Sequence, residues 1–74
     1  MITTEEATSN VGHNVQRIMR ERGLTQRDLS RRAEIPEMTI SRIIRGQNEP
    51  GIGAVARIAE ALDVMVDVLL RKAG

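Results

Sequence analysis

A chain of 74 residues is too short for more than one domain, and it can bury only roughly 60% of the surface its unfolded form exposes. It contains no cysteine, which excludes disulfides and thiolate metal sites, and no Phe, Tyr or Trp, which removes the aromatic platforms that stack single-stranded bases. Its one histidine, His13, cannot assemble a metal site or a Ser–His–Asp triad, and no phosphate loop is present. The expectation is an intracellular, cofactor-free, non-enzymatic domain.

The formal net charge of +1 is unevenly spread. Residues 1–16 carry Glu5 and Glu6 and no cation, whereas residues 17–45 hold eight arginines against Glu21, Asp28, Glu34 and Glu37. A basic middle in a nearly neutral chain points to one surface that meets a polyanion. Arginine suits bidentate contacts to phosphate or guanine better than lysine does. No stretch approaches the ~20 apolar residues of a membrane span, and no signal peptide is visible. A membrane partner is therefore not expected.

Residues 1–9 are polar and acidic and read as a flexible N-terminal arm, although Thr3 and Glu6 have the spacing of a capping box. The domain proper is expected over residues 10–72. Val11, Val15, Ile18 and Met19 make one apolar helical face, closed by Gly23 with Arg20 and Arg22 in the last turn. His13 reads as a surface residue near the first turn of this helix. A second helix is expected over about residues 25–34, with Thr25 as N-cap, Asp28 completing a capping box, and Leu29 and Ala33 inward.

Pro36 cannot continue that helix but suits the first turn of another, over about residues 36–45, burying Ile40, Ile43 and Ile44 and stopped by Gly46. After a loop over residues 47–51, a fourth helix is expected to bury Ile52, Val55, Ala56, Ile58, Ala59 and Leu62 and to stop at Asp63. Residues 64–70 are ambiguous. Val64, Val66 and Val68 alternate as in a strand, but a helix lets Asp67 and the basic Arg71–Lys72 end match the dipole. A short fifth helix is the preferred reading, which makes the fold all-α: a compact five-helix bundle.

Residues 23–46, GLTQRDLSRRAEIPEMTISRIIRG, place two short helices about three residues apart. Small residues (Ser30, Ala33) stand where the helices cross, and Leu29, Ile35 and Ile40 fill the angle between them. That is the layout of a helix-turn-helix. The segment resembles the phage-repressor and Cro-like (Xre-type, lambda-repressor-like) DNA-binding family. The likeness runs in register from Val11-Gly12 through Gly23-Leu24-Thr25-Gln26, Ile40-Ser41, Arg45-Gly46, Pro50 and Ile58-Ala59 to Asp67-Val68-Leu69-Leu70.

The resemblance implies that the helix beginning at Pro36 enters the major groove of double-stranded DNA, in a cytoplasmic regulator that binds a palindromic operator as a homodimer. It puts base reading on Glu37, Met38, Thr39 and Arg42, and phosphate contacts on Thr25, Gln26, Arg45, Gln47 and Asn48. Arginine can take guanine O6 and N7 together, a carboxylate can accept from cytosine N4, and Met or Thr can touch a thymine methyl. The apolar surplus near the C-terminus assigns Met65, Val66, Val68 and Leu70 to a dimer contact.

The chain departs from the family at several positions. Glu34 replaces a frequent turn glycine, so a left-handed backbone there is expected to be strained or absent. Pro36, Gly51 and Met65 stand where polar caps are common, and Met19 and Ile44 replace a buried ion pair with an apolar one. Glu37 brings a negative charge toward phosphates, unless it opposes the helix dipole or pairs with Arg42. Two alternatives use the same residues: an antitoxin whose main partner is a toxin protein, and a helical interaction module that binds no nucleic acid.

Overall fold

In a computed structural model, which describes residues 1–73, the chain folds into five helices: α1 (Thr4–Arg22), α2 (Gln26–Ala33), α3 (Glu37–Ile44), α4 (Ile52–Leu62) and α5 (Val66–Leu70). The all-helical expectation holds, and residues 64–70 carry a helix rather than a strand. Helices α1 and α4 flank the α2–α3 pair, and α5 packs back on α1 and α4. Leu29, Ile40, Ile43, Ile58, Leu62 and Leu69 are fully buried where these helices meet.

The flexible arm expected over residues 1–9 is absent as such: α1 starts at Thr4. The Thr3 hydroxyl accepts from the Glu6 N–H at 3.1 Å, and the Glu6 carboxylate accepts from the Thr3 N–H at 3.4 Å. Two otherwise unpaired donors are satisfied, and Glu5 and Glu6 face the positive end of the dipole. The added turns are also partly covered: Ala7, Thr8 and Asn10 are half-buried, and Asn10 Nδ2 donates to the Leu70 carbonyl. His13 consequently sits mid-helix, exposed, and not in a first turn.

Helix α1 crosses α3 at Gly12. A Cβ there would lie 2.5 Å from the Ile43 carbonyl oxygen and 2.8 Å from that of Ile44, so only a hydrogen at this position lets the two backbones meet. Helix α2 begins as its sequence indicates, with Thr25 and Asp28 exchanging both capping bonds, 2.9 and 3.0 Å. Its end corrects an expectation. Glu34 does adopt the left-handed conformation, at φ 55°. The turn is held by the Ile35 N–H donating to Ser30 O at 3.1 Å, by the Ser30 hydroxyl donating back to Ile35 O, and by burial of Ile35. These bonds and the buried side chain offset the roughly 1–2 kcal/mol that such a backbone costs a non-glycine residue.

Two apolar residues assigned to the α4 core face solvent instead. Ile52 is 88% exposed at the first residue of α4, and Ala56 is exposed because it lies about 100° round the helix from Val55. The buried stripe is Val55, Ile58, Ala59 and Leu62, and Asp63 stops the helix as expected, doing so in a left-handed conformation. Met19 is buried and Ile44 half-buried against the core, so the apolar pair at these positions is accommodated.

A buried amide ties the C-terminus down. Asn14 Nδ2 donates to the carbonyls of Leu69 at 2.9 Å and Arg71 at 2.8 Å, and Asn10 Nδ2 donates to Leu70 O at 3.2 Å. The last carbonyls of α5, which no helical N–H can reach, find donors in α1. The sequence reading missed this, although Asn14 falls within the Val11–Val15–Ile18 stripe, where a polar side chain must be buried and therefore bonded.

Candidate nucleic-acid interface

Helix α3 presents two faces. Ile40 and Ile43 are buried against α1 and α2, while Glu37, Met38 and Arg42 are exposed and Thr39 is half-exposed. Met38, at 64% exposure, is an apolar side chain standing free at the front of the helix. The four residues expected to read bases are thus at the surface, on the helix that follows the turn, with no core role that would demand them there.

Glu37 lies in the first turn of α3, where a carboxylate opposes the positive end of the dipole. It does not pair with Arg42. The ion pairs among the described residues are Arg17–Glu21 and Asp67–Arg71. Five helical positions put Glu37 and Arg42 about 140° apart around the axis, which explains the absence. Arg42 is left with its guanidinium free for a ligand.

The N-terminus of α2 carries the first phosphate candidates. Gln26 is its first helical residue, and the N–H groups of Gln26 and Arg27 have no partner within the helix. Thr25 is more constrained than its assignment implies. Its backbone N–H is taken by the Asp28 carboxylate, and its hydroxyl oxygen accepts from the Asp28 N–H. The Thr25 backbone N–H, and after it the Thr25 hydroxyl, hold the Asp28 carboxyl below the usual aspartate value of 3.8, with Arg32 and Arg31 adding attraction.

The loop after α3 supplies the rest. Arg45 caps the helix, exposed, with Nε donating to Ser41 O at 3.3 Å. Gly46 reverses the chain at φ 71°, and the Gln47 N–H returns to Arg42 O at 2.9 Å. Gln47 is exposed and Asn48 half-buried. Of the residues assigned to a dimer contact, Met65, Val66 and Leu70 are exposed, by 75%, 37% and 41%. Val68 is the exception: it turns half-buried onto the core, because α5 needs a second anchor beside Leu69. Among the described residues no group of acids or histidines is placed to hold a metal, and no helix is long and apolar enough to cross a membrane.

A family model for the helix-turn-helix matches residues 15–69, which span α2, α3 and most of the rest of the fold. The chain belongs to the helix-turn-helix family. It is 35% identical over 54 residues to the uncharacterized HTH-type transcriptional regulator y4dJ of Sinorhizobium fredii, covering 73% of this chain and 70% of that one. It is 31% identical over 64 residues to the SPbeta prophage-derived uncharacterized HTH-type transcriptional regulator YopO of Bacillus subtilis, covering 86% and 91%. A third regulator, y4dL of Sinorhizobium fredii, is 31% identical, and the chain spans only a third (33%) of its length.

Among solved structures, the wild-type restriction-modification controller protein C.Esp1396I superposes with a TM-score of 0.78 at 28% identity, covering 85% of this chain and 81% of that one. The controller C.AhdI of Aeromonas hydrophila superposes at 0.80 with 21% identity, covering 84% and 94%, a likeness of fold alone. As a member of the helix-turn-helix family, the chain is a DNA-binding transcriptional-regulator domain and not an enzyme.

Proposed function

We propose that this helix-turn-helix chain is a sequence-specific, cytoplasmic repressor that binds a palindromic operator in double-stranded DNA as a homodimer. The observation that carries the reading is the outward row Glu37, Met38, Thr39 and Arg42 on α3, backed by buried Ile40 and Ile43 and preceded by the open N-terminus of α2. Entering the major groove N-terminus first, α3 would bring Arg42 to a guanine edge and the thymine-methyl readers Met38 and Thr39 to neighbouring pairs. Gln26, Arg45, Gln47 and Asn48 would hold the flanking backbone, with a smaller share for Thr25.

The homodimer rests on Met65, Val66 and Leu70, three exposed apolar side chains at one end of the fold. Contact across a two-fold axis would remove them from water and set two α3 helices about 34–36 Å apart, one turn of DNA. Selection of binding sites from a random duplex pool tests these points together. The expected product is a palindrome with half-sites about 10 base pairs apart centre to centre. A pool that enriches nothing, or enriches single asymmetric sites bound by a monomer in sedimentation, would refute the operator and dimer reading.

A further inference from the structure

Between the middle of α1 and the end of α3 lies an open recess lined by Ser9, His13, Gln16, Ile44, Arg45 and Gly46. It exists because Gly12 brings α1 directly onto the α3 carbonyls. Ser9, His13 and Gln16 fall at i, i+4 and i+7, so they stand in one row along α1. The lining offers a hydroxyl, an imidazole, an amide and a guanidinium, and no carboxylate.

Arg45 lines this recess, spends its Nε–H on Ser41 O and takes part in neither of the ion pairs among the described residues. It also stands one turn beyond Arg42, which makes the recess a continuation of the exposed face of α3. A second groove differs in kind: it is lined largely by apolar groups and contains Glu49, whose carboxylate would repel an anion.

We propose that this recess holds one DNA backbone phosphate per bound chain. Arg45 supplies the charge, and His13 and Gln16 donate hydrogen bonds from α1. The inference rests on the DNA-binding reading above and deepens it, by making α1 a third element on the backbone beside the N-terminus of α2 and the α3–α4 loop. Since a phosphate carries no sequence information, these residues would position α3 without reading bases.

The test uses the full chain and two probes: a duplex recovered by selection and a random-sequence duplex of the same length. The double variant His13→Ala/Gln16→Ala removes two side chains that lie outside the core, and its thermal melt should match wild type. It should bind both duplexes more weakly by a similar factor, about a hundredfold, as expected for two hydrogen bonds to a charged group. A phosphate whose ethylation blocks wild-type binding should interfere less in the variant, which keeps Arg45 but lacks both α1 donors. His13→Lys adds a fixed cation, so it should tighten both complexes and steepen the slope of log affinity against log salt by about 0.9.

A double variant with unchanged affinity and an unchanged ethylation pattern would overturn the phosphate site while leaving the DNA reading standing. Weakening on the selected duplex alone would also overturn it, because base reading would then be the role. Wild type that bound neither duplex would overturn both.

Discussion

Replacing Gly12 by alanine sets local propensity directly against tertiary packing. Inside a helix, alanine is favoured over glycine by about 1 kcal/mol, so α1 alone would gain from the change. In the folded chain, the new Cβ would lie 2.5 Å from Ile43 O, where ordinary contact begins at 3.4 Å. The helices must therefore separate by about 0.9 Å at their crossing, and both offending atoms are backbone carbonyls that cannot rotate away. Overpacking of this kind costs about 1–3 kcal/mol, and fixed backbone places Gly12→Ala at the upper end. After subtraction of the propensity gain, the net loss is about 2 kcal/mol, or a melting temperature lower by about 8–16 °C for a domain of this size.

Gly53→Ala is the internal control. Gly53 is the second residue of α4, and no atom lies within 4 Å of the place its added methyl would take, so propensity acts there unopposed. Its expected effect is a gain of about 0.5 kcal/mol, or about 2–4 °C. Thermal unfolding followed by circular dichroism reads both variants. If Gly12→Ala melted at or above wild type, the close crossing of α1 and α3 would be wrong, and the recess built on it would lose its floor.

The other expectations concern recognition, the C-terminal tether and acid sensitivity. Arg42→Ala should cost about 1–3 kcal/mol on the selected duplex and relax preference at one base position, whereas equal binding to every sequence by mutant and wild type would remove Arg42 from base reading. Asn14→Leu leaves the carbonyls of Leu69 and Arg71 without their donor and should destabilise the chain by about 1–3 kcal/mol, with hydrogen exchange accelerated first in α5. Because the Asp28 carboxyl titrates below 3.8 in the folded chain, its ionised form stabilises the fold above that value, and the contribution is lost as pH falls through the lower folded value. Wild type should therefore lose more stability than Asp28→Asn as pH is lowered into that range; parallel curves would show that the ionised Asp28 carboxylate contributes nothing.

Local signals were legible wherever a few neighbouring residues decide the outcome. Thr25 with Asp28, the Gly23 stop and the spacing of Leu29, Ala33, Ile40 and Ile43 specify the helix-turn-helix because capping and periodicity act within a turn or two of chain. The Thr3–Glu6 box was legible in the same way, but a box alone does not stabilise a polar helix. The extension of α1 to Thr4 goes with partial burial of Ala7 and Thr8 and with the bond from Asn10 to Leu70 O, 60 residues along the chain.

The remaining features belong to the tertiary structure. Whether residues 64–70 coil or extend depended on Leu69 finding the core and on Asn14 reaching the carbonyls at the end of α5, a bond between residues 55 apart. The left-handed Glu34 persists because Ser30 and the buried Ile35 hold it, not because its residue type favours it. Ile52 shows the reverse. Its apolar character fits a core, yet the first residue of α4 lies beyond the neighbours that would cover it. Capping and apolar spacing were enough for α2, α3 and the bulk of α1 and α4, and for which α3 residues are surplus to the core. Only the folded chain decided how closely α1 meets α3, and with it the row of donors beside Arg45, because a contact between distant backbones leaves no periodic trace in either segment.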